Sequence, residues 1–196
     1  MKILFILSPI LFIIGCSGEP EPKISDEVQD FLFNNLKINE KFNELDESLI
    51  EISKKRKSED FDDFEMQIYD LSNRLWKLRE RFNEQIILSR YENKSEKKLI
   101  HPLEDDLIDT LLKYSSLQYK SLSEFEYLLS WYINVRDGKE EYSRVLEIKY
   151  VNKYSDYNTD INLLGSQMSD IIEKIPKRSL NMDFYSKMLR YGYLIK

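Results

Sequence analysis

Residues 61–82 read FDDFEMQIYDLSNRLWKLRERF, and how this stretch is read decides the fold. Phe61, Phe64, Ile68, Leu71, Leu75, Leu78 and Phe82 recur at alternating steps of three and four. That spacing returns to one face of an α-helix, whereas a half-buried strand would alternate with period two. No proline or glycine interrupts the run. It predicts a helix over about 60–92, with Gln85 in the next seam position and Asp60, Asp62 and Asp63 in a first turn where the helix dipole favours negative charge.

The same rhythm appears upstream. Across residues 26–53, Val28, Phe31, Ile38, Phe42, Leu45, Leu49 and Ile52 keep the heptad, and Asn35 fills the one polar slot. A short polar, basic linker (53–58) separates the two runs, which predicts an antiparallel hairpin with arms of about 45 Å. Asn35 reads as a register device facing Gln85 across the hairpin. The basic group Lys54-Lys55-Arg56-Lys57 reads first as a helix end answering the C-terminal dipole, and second as a surface for anionic headgroups.

Downstream, a polar linker (93–98) leads to His101-Pro102, with proline suited to a first helical position. A third helix is expected over about 102–136, with a less regular stripe of Leu107, Leu111, Tyr114, Leu122, Phe125, Leu129 and Tyr132. Asp137-Gly138 stops it. A fourth, over about 139–175, carries Tyr150, Tyr154, Tyr157, Ile161, Leu164, Met168, Ile171 and Ile175 up to Pro176, and residues 179–195 suggest a short fifth using Phe184, Met188 and Tyr191. The fold class is therefore all-α: an elongated up-down bundle of about four long helices plus a short C-terminal helix, in one domain over 26–196. A coiled-coil-like pair of hairpins, completed by a homodimer mate, is the competing architecture.

The chain opens with Met1-Lys2, an almost unbroken apolar run over residues 3–14, and Gly15-Cys16. A short basic start, a dozen apolar residues and a small residue at the cut form a secretory signal peptide. The run falls short of the roughly 20 residues a membrane-spanning helix needs. Ile13-Ile14-Gly15-Cys16 resembles the lipobox of bacterial lipoproteins. The resemblance covers only residues 1–16. It implies that residues 1–15 are removed and that the Cys16 sulfur carries a diacylglyceryl group on a fatty-acylated (palmitate-type) first residue. Residues 16–25 would then be the lipidated N-terminus and a tether, extended and solvated because of its two prolines. Ser17 resembles residues compatible with outer-membrane sorting. The expected location is the bacterial cell envelope, anchored in the membrane through the lipid, on the periplasmic or surface face.

Composition narrows the function. The formal net charge is −6, which argues against a nucleic-acid partner. Cys16 is the single cysteine and His101 the single histidine, so neither a disulfide framework, a usual zinc site nor a ferritin-like di-iron centre can be assembled. Phosphate-binding glycine loops and nucleophile elbows are missing from the sequence. The expectation is a non-catalytic module with no catalytic residue, no cofactor and no metal, acting on a protein partner. The tyrosine distribution suggests where: of 13 tyrosines, 11 lie at or beyond Tyr114, so Trp131, Tyr132, Tyr150, Tyr154 and Tyr157 are the candidate partner-binding residues. An envelope immunity or inhibitor protein acting against a toxin is the first alternative, and an envelope enzyme using paired carboxylates the second.

Overall fold

The computed structural model describes residues 21–53, 60–96 and 99–190, with side chains described at 21–49, 61–85 and 99–190. The Cys16 lipobox, the 54–57 basic group, Ile52 and Tyr191 lie outside these. Among the described residues five α-helices follow one another: α1 (Asp26–Ser53), α2 (Asp60–Glu96), α3 (Glu104–Arg136), α4 (Arg144–Glu173) and α5 (Met182–Arg190), with a 3₁₀ turn at Lys177–Ser179. The fold is all-α, and its long helices run up and down. At about 1.5 Å per residue the 37-residue α2 reaches about 55 Å, which makes the bundle elongated.

The α1–α2 hairpin is built on the heptad seam. Val28, Phe31, Ile38, Phe42, Leu45 and Leu49 are buried against Phe61, Phe64, Ile68, Leu71, Leu75 and Phe82. Phe31 stacks on Phe82 with centroids 3.9 Å apart, which fixes the antiparallel register. That register corrects one expectation. Gln85 falls beside Asp26, Glu27 and Asp30, well below Asn35, so the two do not pair across the hairpin.

Two helix starts differ from the sequence reading. α3 begins at Glu104 because residues 101–103 form a turn, in which Glu104 N donates to His101 O (2.9 Å) and Leu103 N to His101 Nδ1 (3.2 Å). α4 begins at Arg144, since Gly138 takes φ +71° and Lys139 N and Glu140 N both donate back to Asn134 O. Ser143 then caps α4, its Oγ accepting from Leu146 N at 3.4 Å.

The irregular stripe of α3 has a structural cause: this helix packs on α1, α2 and α4 together, so it buries residues around most of its circumference. α1 and α4, by contrast, stand apart. Among the described residues no Cα of one comes within 8 Å of a Cα of the other. The fourth side of the bundle is therefore not closed by helix–helix packing.

The core has two apolar parts. One contains Val28, Phe31, Phe82, Leu111, Met168 and Phe184, and the other Phe42, Phe61, Leu75, Phe125, Leu129 and Trp131. A polar layer lies between them. In it Ser121 Oγ donates to Asn158 Oδ1 (2.6 Å), and Gln118 Nε2 donates to Asn35 O (3.3 Å) and Asn39 Oδ1 (3.4 Å). The Asn35 side chain is fully buried, with neither polar atom hydrogen-bonded.

The N-terminal segment corrects a second expectation. Residues 21–25 are docked, not solvated. Lys23 N donates to Leu99 O (3.1 Å), His101 N to Lys23 O (3.0 Å) and Ile24 N to Ser179 O (3.0 Å), while Ile24 is only 3% exposed. Ser25 N and Oγ donate to the two oxygens of Glu104 at 2.7 and 3.0 Å. The segment ties the α2–α3 and α4–α5 connections to the start of α1.

Candidate partner-binding site

Where α1 and α4 fail to meet, a groove of about 680 Å³ runs between them. Its floor is apolar: Leu32 and Leu36 of α1, Tyr114 of α3, Ile161, Met168 and Ile172 of α4, and Met188 of α5. The rims are polar. α1 contributes Glu40, Glu44 and Glu47 at spacings of four and three, which places the three carboxylates on one helix face, together with Asn39 and Asn43. α4 contributes Asn162, Gly165, Ser166 and Ser169. These short side chains explain the opening, because none reaches across to α1. At Gly165 an added Cβ would meet nothing nearer than Tyr114 Cε2 at 3.8 Å, so the position is open rather than crowded.

The groove has an upper limit. Tyr154 of α4 hydrogen-bonds through its hydroxyl to Asp46 of α1, bridging the two helices. Burial pushes the Asp46 carboxyl above its ordinary value. The Tyr154 hydrogen bond offsets this in part, and the charge of Glu47 adds to it. Burial likewise raises the Tyr154 hydroxyl, and the Asp46 charge raises it further.

Beyond that bridge a smaller pocket of about 270 Å³ is lined by Leu49, Tyr132, Arg144, Glu147, Val151 and Tyr154. Glu147 accepts from the Tyr132 hydroxyl (2.7 Å), the Tyr142 hydroxyl (2.6 Å) and Arg144 Nη1 (2.6 Å). Burial alone would raise this carboxyl, but the hydrogen bonds from Tyr142, Tyr132 and Arg144 outweigh it and hold Glu147 below the usual carboxylate range. All its strong donors come from this chain, so Glu147 is a structural anion that seats the start of α4 against the end of α3.

The five aromatic residues singled out from sequence separate by depth. Trp131, Tyr132 and Tyr154 are 3, 4 and 7% exposed and belong to the core, while Tyr150 and Tyr157 are half-buried. The Trp131 ring centroid lies 5.1 Å from Tyr132, 5.9 Å from Tyr142 and 6.0 Å from Tyr150. Tyr132 and Tyr154 each show an edge to the smaller pocket, and none of the five lines the larger groove. Sequence reasoning did not pick out the larger groove's residues. The signal for them was Gly165 in mid-helix, with Ser166 and Ser169 beside the apolar stripe.

Comparison with models of known protein families, with curated proteins and with solved structures finds no match to this chain, so the reading of the site rests on its own geometry.

Proposed function

We propose that the protein is a lipid-anchored, non-catalytic binding module of the bacterial cell envelope that holds a basic amphipathic helix of a partner protein in the α1–α4 groove. The observation that carries this reading is the unclosed seam itself, an apolar floor between two long helices with three glutamates along one rim. Helices that pack directly lie about 8–10 Å apart. Here the floor side chains Leu32, Tyr114, Ile161, Met168, Ile172 and Met188 are already buried at 1–5% exposure, so an incoming helix would contact chiefly Leu36 and the polar rims and would reach the floor only by parting α1 from α4. An incoming helix would set residues at i, i+3, i+4 and i+7 along the seam beside Leu36. Met168 and Met188 lie buried beneath the seam, and as unbranched side chains they could repack if it widened. Lysine or arginine beside the partner's apolar stripe would meet Glu40 and Glu47, and could compete for Glu44 with Lys41, which pairs with it at 2.7 Å. An exported toxin is one member of this partner class, and sensitivity of cells lacking the gene to their siblings would single it out.

The anchor is supported by the lipobox sequence ending at Cys16. A Cys16→Ser variant is expected to carry no lipid and to remain uncut by the lipoprotein route, held at the membrane only by its retained 3–14 apolar run. A processed form still found with membranes would overturn the anchor. For the groove, a photo-crosslinking amino acid at Ser166 should trap a discrete adduct in intact cells, whereas one at Met66, exposed on α2, should not. Filling the groove with Gly165→Leu, or reversing charge with Glu40→Lys and Glu47→Lys, should abolish the Ser166 adduct. An adduct that survives both changes, or no adduct at all, rejects the groove.

A further inference from the structure

One end of the bundle combines exposed apolar side chains with exposed basic ones. Leu99 is 53% exposed, Ile100 41% and Met182 67%. Lys23 and Lys177 are exposed beside them, and the Arg178 side chain is 72% exposed. The hydrogen bonds of residues 23 and 24 hold these positions at one place, since Lys23 bonds to Leu99 and His101 while Ile24 bonds to Ser179. Leucine, isoleucine and methionine tips among lysine and arginine form the combination that sits at the boundary of acyl chains and headgroups, with the apolar tips inserted and the cations at the phosphates.

The length of chain before this end limits what can cover it. Cys16 and Glu21 are five residues apart, and a fully extended chain spans at most about 3.6 Å per residue, so the lipidated position lies within about 18 Å of the docked segment. The opposite end of α2 lies beyond that reach. Met66 stands 30 residues before Glu96, about 45 Å along the helix. Glu21 is paired with Arg178 at 2.7 Å, and Asp26, Asp105 and Asp106 are exposed at the same end. Electrostatic attraction there is consequently modest, and the apolar tips carry the contact.

We infer that this end, formed by Lys23, Leu99, Ile100, Lys177, Arg178 and Met182, rests on the lipid bilayer and stands the bundle upright with the α1–α4 groove facing sideways. The inference rests on the lipid-anchor reading and adds to it an orientation. It is tested with the acylated protein reconstituted into phosphatidylcholine vesicles, with and without phosphatidylglycerol. Acylation blocks the Cys16 sulfur, so a thiol introduced by Ile100→Cys, Met182→Cys or Met66→Cys is the sole labelling site for an environment-sensitive fluorophore. Flotation of the vesicles reports the anchor separately from the orientation.

With the protein floating, the labels at 100 and 182 should shift to the blue and be quenched by lipid-borne quenchers, while the label at 66 stays aqueous. Lys177→Glu with Arg178→Glu should remove whatever quenching phosphatidylglycerol adds. Floating protein whose labels at 100 and 182 are both aqueous overturns the inference and leaves the anchor standing. Equal quenching at 66 also overturns it, because the bundle then lies flat. Protein that fails to float rejects the anchor and the inference with it. Two label positions guard against a single substitution that disturbs folding, and matched circular dichroism of the variants checks it.

Discussion

Asn35 and Asp46 bring polar atoms into the interior under different circumstances, and each predicts a different response to substitution. Both side-chain polar atoms of Asn35 are buried without a hydrogen bond, and its contact with Gln118 runs through its own backbone oxygen. Leucine shares the branch at Cγ, so Asn35→Leu removes an unsatisfied amide while leaving the Gln118 bond in place. The fold should gain about 1–2 kcal/mol in denaturant unfolding. A loss of stability would mean that a buried water joins the amides, an arrangement leucine would break. Asp46 is a titration effect. Its carboxyl is raised in the fold, chiefly by burial. A carboxyl raised above its unfolded value stabilises the fold below that unfolded value, and this contribution is lost as pH rises through the folded one. Asp46→Asn keeps an acceptor for Tyr154 and cannot lose a proton. The melting temperature of the variant relative to wild type should therefore climb between about pH 3.5 and neutrality, a window that starts just below the ordinary aspartate range. A difference that stays flat with pH would show that Asp46 is solvated in the fold.

Among the helices, α4 combines a buried stripe with an open edge. Glycine inside a helix costs about 1 kcal/mol relative to alanine. Gly165 has room for a methyl group, since its nearest neighbour would lie at 3.8 Å. Gly165→Ala should therefore stabilise the protein by about 0.5–1 kcal/mol in thermal or denaturant unfolding and leave the Ser166 adduct intact, in contrast to Gly165→Leu. Destabilisation would indicate that α4 sits closer to Tyr114 than the geometry gives. The helices themselves were legible in the sequence because the apolar period alone specifies them. The bounds of α1 match the reading at both ends, and α2 starts where Asp60 predicts. The gap between α1 and α4 was not legible, because a period tells which face of a helix is apolar and not which neighbour will cover it. The depth of the tyrosines was not legible for a related reason: an apolar ring with a polar tip suits a surface or a core equally. The choice at Tyr132 was made by Glu147, 15 residues later, which the α3–α4 turn brings to its hydroxyl.

At the scale of the molecule, the segment before α1 matters more than its length suggests. It was read as an extended, solvated tether because of its two prolines, and its one apolar residue before α1, Ile24, carries no period that would mark it as buried. In the fold it binds three parts of the chain at once: the connection before α3, the turn after α4 and the buried carboxylate of Glu104. Burial raises the Glu104 carboxyl, and the hydrogen bonds from the Ser25 amide and hydroxyl work against that rise. Glu104 is 5% exposed, so truncating it leaves two Ser25 donors with little access to water. Glu104→Ala should cost about 1–3 kcal/mol. The more specific expectation concerns local opening. Lys23, Ile24 and His101 each donate a backbone N–H within this junction, and in the wild type their amides should exchange with solvent as one cooperative unit. In Glu104→Ala all three should speed up together, while amides of the hairpin core such as Leu71 and Leu75 change only by the global loss of stability. Acceleration at Ser25 alone would show that residues 23 and 24 hold the junction without Glu104, and the end of the bundle would then keep its orientation even when the carboxylate is gone.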